Sequence, residues 1–187
     1  MSASGTPRLA LLALAALSLI WGYNWAAMKQ VIEYVDPFDF SAIRTVLGAV
    51  TLFLVLLVLR KPMSLVAVRQ VVLLGVLQTG AFTALIQWAL VAGGAGKTAV
   101  LVYTMPFWVI PMAWWVLGER VRGLQWAAIA IAGSGLVLIL QPWSMGGSAF
   151  SNLLAVAGGV TWAASAVLAK RMRRDHDFDL LSLTAWQ

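Results

Sequence analysis

The sequence predicts an all-α polytopic membrane protein, an inverted repeat of five transmembrane helices. Four observations predict it. The 187 residues are 61% hydrophobic and only 11% charged, with a mean hydropathy of +0.88. The apolar residues gather into runs of about 20, long enough to cross the hydrocarbon of a bilayer at a rise of 1.5 Å per residue. Lys and Arg crowd into alternate connections, and a short internal similarity links the first run to the sixth.

The first run, Leu9–Met28, follows Arg8. Arg8 and Leu9–Ile20 would suit a secretory signal, but the apolar stretch continues to Met28 and its pattern recurs later, so a retained helix is expected. Phe40–Leu59, Val71–Ala92, Thr98–Leu117, Leu124–Leu140 and Asn152–Ala169 follow, and a seventh run opens at Leu180 and reaches Gln187. Between them stand "DPFD", "RKP", "GGAGK", "GERVRG", "QPWSMGGS" and "KRMRRDHDFD", breakers and charges where hairpins leave the bilayer.

The third connection, "GGAGKT", looks like the phosphate-cradling loop of nucleotide hydrolases. That loop needs a glycine five positions before its second glycine, and five before Gly96 stands Val91. It also needs a strand before it, whereas an apolar helix precedes it here. No nucleotide is expected, and the glycines serve a tight reversal.

The sequence has no cysteine and a single histidine, His176 in a charged loop. That excludes thiolate and histidine-cluster metal sites, and no cofactor is expected. The net charge of +6 could suggest a nucleic-acid partner, but its distribution points elsewhere. The N-terminus and the second, fourth and sixth connections hold ten Lys and Arg; the other three hold Lys29, Arg44 and Lys97. Such asymmetry is a topology signal that places the N-terminus on the cytoplasmic side, with Lys97 outside. The nucleic-acid reading falls away.

"WGYNWAAMK" (Trp21–Lys29) aligns with "WAASAVLAK" (Trp162–Lys170) at an offset of 141, pairing Trp21 with Trp162, Lys29 with Lys170, Asp36 with Asp177 and Ser41 with Ser182. Five helices separate the two starts. Five is odd, so the second copy enters from the opposite face, a common plan of secondary transporters. The expected units are residues 1–141, a complete five-helix repeat, and 142–187, the start of an inverted second one.

Polar groups at membrane depth are few. Thr79, Thr83 and Gln87 stand at i, i+4 and i+8, with Gln78 and Phe82 beside them, and Asn24 lies between Trp21 and Trp25. Each could be interhelical glue; as a stripe they suit a water-filled cavity. Trp114, Trp115, Trp126 and Trp143 fall near run ends, as interfacial belts require. Trp108 and Trp162 fall mid-run and Tyr103 lies near Pro106, so each is core packing or pathway wall. Pro106 and Pro111 remove backbone donors and mark a kink or hinge. Arg44, the deepest charge, is expected to snorkel outward, with an outer gate or a carboxylate-binding group as the alternative. No complete run has Asp or Glu at its middle, which argues against a proton-coupled pump of cations.

From Tyr103 to Ile139 the sequence resembles the drug/metabolite transporter superfamily, EamA type. Pro106 within the fourth helix, Leu117-Gly118-Glu119-Arg120 at its end, and Gly133 and Gly135 in the fifth carry the resemblance. "WGYNWAAMK", and Pro37 followed by Arg44, fit as well. The resemblance implies ten helices in two inverted repeats exporting small metabolites, often amino acids, with aromatic or other neutral amino acids the closest match. Against ten helices, the chain covers six and the start of a seventh, as a fragment would.

The function expected is therefore a secondary transporter, not an enzyme, that moves a small neutral or zwitterionic solute by alternating access. Asn24, Gln78, Thr79, Phe82, Thr83, Tyr103, Trp108, Trp162 and Ser165 would line its path. A multidrug exporter of lipophilic cations and a membrane enzyme acting on lipid-linked substrates are the alternatives. Monomer and homodimer stay equally open.

Overall fold

The computed structural model describes residues 6–63, 67–140 and 149–187. The expectations for Trp143 and the fifth connection lie outside the described residues. The helices are α1 (Thr6–Val31), α2 (Pro37–Val58), α3 (Val68–Gly75), α4 (Phe82–Ala92), α5 (Ala95–Val102), α6 (Met105–Leu117), α7 (Leu124–Leu140), α8 (Ala149–Asp175) and α9 (Leu180–Trp186). A π-helical turn, Val76–Ala81, joins α3 to α4. Among the described residues there is no strand. Among the described residues five rods are long and apolar enough to cross a membrane: Leu9–Val31, Pro37–Val58, Val68–Val91, Ala95–Leu117 and Ala149–Asp175. The apolar α7 is shorter, at 17 residues.

Local chemistry sets the helix starts. Asp36 caps α2, its carboxylate accepting from the Phe38 amide at 2.8 Å and the Asp39 amide at 3.3 Å. Pro37, with no amide to satisfy, fits the first turn. Asp179 repeats this at α9, accepting from the Leu181 and Ser182 amides at 3.0 and 3.1 Å. Five residues past each cap a hydroxyl bonds back one turn, Ser41 to the Pro37 carbonyl and Thr184 to that of Leu180. The caps thus align Asp36 with Asp179, two residues later than the ungapped pairing with Asp177. The ungapped register is corrected there, because cap geometry rather than residue identity defines equivalent positions.

α8 runs past the expected Ala169 to Asp175. Its basic residues were counted as a loop, but they favour a helix end. Lys and Arg are good helix formers, they complement the negative end of the helix dipole, and Arg171 pairs with Asp175 one turn on at 3.7 Å. α6 stops at Gly118, whose φ of +70° is the left-handed C-cap glycine tolerates best.

α8 packs along α4, α5 and α6. Ile86, Ala89, Leu90, Leu101, Val102, Leu154 and Ala155 form the main core, with Met28 of α1. A smaller cluster of Val71, Leu74, Met172 and Leu183 ties α3 and α9 to the C-terminal part of α8. Near it Lys61 pairs with Asp179 at 2.8 Å, and Lys170 pairs with Glu119 at 2.7 Å. At the opposite end the Lys29 ammonium donates to the Leu90 carbonyl in the last turn of α4 at 2.7 Å, another cation on a helix C-terminus.

Candidate functional site

A cleft opens between α1, α2, α4, the α5–α6 junction and α8. It encloses about 660 Å³ of empty space including its open mouth. From α1 come Trp21, Asn24, Trp25 and Met28, at i, i+3, i+4 and i+7 and so on one face. From α4 come Phe82, Thr83, Ile86 and Gln87. Arg44, Val102, Tyr103, Met105 and Trp162 complete it. No lining residue is acidic, and among the described residues no group of His, Asp and Glu is arranged for a metal.

Tyr103 owes its place to a broken helix. Pro106 has no amide to offer the Val102 carbonyl, and the chain leaves the helix at Tyr103 and Thr104 before resuming at Met105. The Thr104 hydroxyl instead donates to the Leu101 carbonyl at 2.7 Å. The helix runs on through Pro111 without a second break. Gly159 of α8 lies against this junction. A Cβ there would stand 3.0 Å from the Val102 carbonyl oxygen and 3.3 Å from the Thr104 hydroxyl, so only glycine fits without movement.

The aromatic walls interlock. The Trp25 indole N–H donates to the Tyr103 hydroxyl at 3.2 Å, with the rings edge to face at 6.2 Å. Phe82 and Trp162 meet at 4.7 Å between ring centroids.

The polar groups are unevenly satisfied. The buried Gln87 amide donates to the Ser41 hydroxyl at 2.8 Å. Ser41 already donates its proton to Pro37, so the amide must present its N–H to Ser41 and its oxygen elsewhere. That oxygen, Oε1, is buried without a hydrogen-bond partner among the described residues. Arg44 belongs to the cleft lining. Starting from Pro37, α2 puts it two turns into the helix rather than one. Its Nη1 lies 3.2 Å from the Met28 thioether sulfur, with the guanidinium 5.8 Å from the centre of the Phe40 ring. Asn24 shares the same sulfur, with Nδ2 at 3.7 Å.

Of the residues expected to line a path, the cleft gathers Asn24, Phe82, Thr83, Tyr103 and Trp162, and Arg44 with them. Thr79 lies in a different groove, between α2 and the π-helical turn, which Thr83 also touches. The stripe of Thr79, Thr83 and Gln87 divides between the two: Thr79 and Thr83 line this groove, Thr83 and Gln87 the cleft. Gln78 is half-buried and absent from both linings. Trp108 is 38% exposed, outside the cleft, with its indole on the Thr104 hydroxyl at 3.1 Å. Ser165 is buried and donates to the Trp162 carbonyl at 2.7 Å. Sequence reasoning left Trp21, Trp25, Met28, Met105 and Gln87 out of the path. The helical spacing of Trp21, Trp25 and Met28 around Asn24 was the available signal for α1.

These features define a multi-pass membrane protein, and the chain belongs to the EamA-like transporter family, which matches residues 8–141. It is 28% identical over 181 residues to the uncharacterized transporter YoaV of Bacillus subtilis, covering 94% of this chain and 61% of that protein. It is 27% identical over 163 residues to the uncharacterized inner membrane transporter YedA of Escherichia coli K12, covering 86% of this chain and 53% of that one. A riboflavin transporter of Rhizobium johnstonii is 41% identical over 76 residues, 41% of this chain and 25% of that protein. The chain thus spans less than two thirds of the length of these relatives. No solved structure matches it.

Proposed function

We propose that the protein is a secondary transporter exporting small neutral or zwitterionic metabolites, amino acids foremost, across the bacterial inner membrane by alternating access. The supporting observation is the cleft, where Trp21 and Trp162, the paired tryptophans of the internal similarity, line one space with amide and hydroxyl groups and no carboxylate. Aromatic faces attract an ammonium or stack on a solute's side chain. The Gln87 oxygen is an acceptor for an ammonium or hydroxyl donor. Asn24, Phe82, Thr83, Tyr103 and Trp162 form the solute wall in this reading. Gln78, Thr79, Trp108 and Ser165 would meet solute only in another state of the cycle. The break before Pro106 is the hinge, with Pro111 loosening the rod beyond it.

The matching caps of α2 and α9 support two inverted units, 1–141 and one beginning at 142. The N-terminus is then cytoplasmic. Cysteines placed at Gly94 and Val121 should label from opposite sides of the membrane; labelling from one side overturns the topology. A lipophilic-cation exporter is disfavoured by a cleft lined with a guanidinium and no acid. A flat heteroaromatic cargo is the second reading, favoured by the riboflavin transporter's likeness to 41% of this chain and by the aromatic walls. Proteoliposomes decide between them. Saturable counterflow of an amino acid is expected, riboflavin counterflow would favour the second reading, and leak equal to that of empty vesicles for both defeats the carrier role.

A further inference from the structure

We infer that Arg44 is the charge-selecting residue of the cleft and binds the carboxylate of an aromatic solute. This rests on the reading of the cleft as the solute site. Arg44 lies within a membrane-spanning helix, where a lone cation is costly and is held by a partner or a function. A guanidinium carries five N–H donors in a planar fork matched to a carboxylate and stays charged at any working pH. The partners described for it do not match that demand. A thioether is a weak acceptor, and the Met28 sulfur at 3.2 Å is shared with Asn24. The Phe40 ring at 5.8 Å supplies only a diffuse attraction.

The contrast with Lys61, Lys170 and Lys29 sharpens this. Lys61 and Lys170 each have a carboxylate within 2.8 Å, and Lys29 has a helix-end carbonyl. Arg44 has no ion pair among the described residues, and the walls beside it are aromatic. A carboxylate entering the cleft would replace the sulfur by two charge-assisted hydrogen bonds, and the body of the solute would lie against Trp25 and Tyr103. Met28 fits the part of a placeholder: it is unbranched and flexible, and its sulfur is a weak acceptor.

The test separates charge from shape. Tryptophan fluorescence of the intact protein in nanodiscs is titrated with 3-phenylpropionate, with its neutral amide 3-phenylpropanamide, and with the cation phenethylamine. The wild type should bind the carboxylate about tenfold or more tighter than the amide, the scale of one charge-assisted hydrogen bond over a neutral one. Arg44→Gln should lose that preference while still binding the amide, which shows that its cleft is folded, and Arg44→Lys should keep part of it. Equal affinity for carboxylate and amide in the wild type, no binding of either, or an unchanged preference in Arg44→Gln overturns the assignment. Counterflow of the same carboxylate in proteoliposomes distinguishes the two levels. Binding without counterflow defeats the carrier reading and leaves Arg44 standing; counterflow with unchanged preference in Arg44→Gln does the reverse.

Discussion

α1 and α8 carry the same Trp and Lys eight residues apart, and both send a tryptophan into the cleft. Their surroundings differ sharply. α8 buries Ser151, Leu154, Ala155, Gly158, Gly159, Ala163, Ser165, Val167 and Met172. α1 buries Met28 and leaves Leu9, Leu11, Leu12, Leu14, Leu17 and Leu19 exposed. Apolarity does not separate them, since lipid tails are as apolar as leucine; close backbone approach does, and that needs small residues. The buried face of α8 is rich in glycine, alanine and serine, whereas α1 is studded with leucine. α8 is the post that α4, α5 and α6 lean on, and α1 is held by a few side-chain contacts.

The largest test of that contrast is Gly159→Val. The branched side chain must push against the Val102 carbonyl at the break, which is backbone and cannot rotate away, so a loss of about 2–3 kcal/mol is expected, read as a lower melting temperature in detergent. Tyr103→Phe comes next. It removes the acceptor of the Trp25 indole, the cross-link described between α1 and the α5–α6 junction, and should cost about 1 kcal/mol with a shift in tryptophan emission. Gly22→Ala should act in the opposite direction. Nothing lies within 4 Å of a Cβ built there, so the helix gains about 0.5–1 kcal/mol of propensity with no clash; a destabilised variant would mean that α1 is tightly packed after all.

The smallest effect concerns the cap of α9. The Lys61 ammonium, hydrogen-bonded to Asp179, holds that carboxyl below its ordinary value, with the Ser182 amide adding to the effect. A lowered carboxyl contributes stability above its unfolded pKa of about 3.9 and loses it as pH falls through the folded value. Hydrogen exchange of the first α9 amides should therefore be level at neutral pH, after correction for intrinsic rates, and lose protection in acid. Asp179→Asn should lack the acid step.

Most of the rods were legible because length, apolarity and flanking charge are written in the linear sequence. Leu124–Leu140 agrees with α7 at both ends, and Pro37 and Gly118 mark boundaries by backbone chemistry alone. Helices overrun the expected limits where charged residues continue them, as at Lys170–Asp175, because a charge in the sequence marks an exit from the membrane but not the end of a helix. The cleft was half legible. Asn24, Thr83 and Tyr103 stood out as polar groups among apolar neighbours. Trp21, Trp25 and Met28 did not, because apolar side chains look alike until the partner helix is known. Gln87 stood out as polar, but its unmatched oxygen depends on a serine 46 positions away, a relation no local pattern contains.

The π turn at Val76–Ala81 has a consequence for how this rod tolerates change. It acts as a one-residue slack, letting α3 face α9 and α4 face α8 without either dictating the other's azimuth. Deleting Gly80 would take up that slack and swing one half by about 100°. The side chains of Phe82, Thr83 and Gln87 could then stay in the cleft only if Val71 and Leu74 gave up their own neighbours.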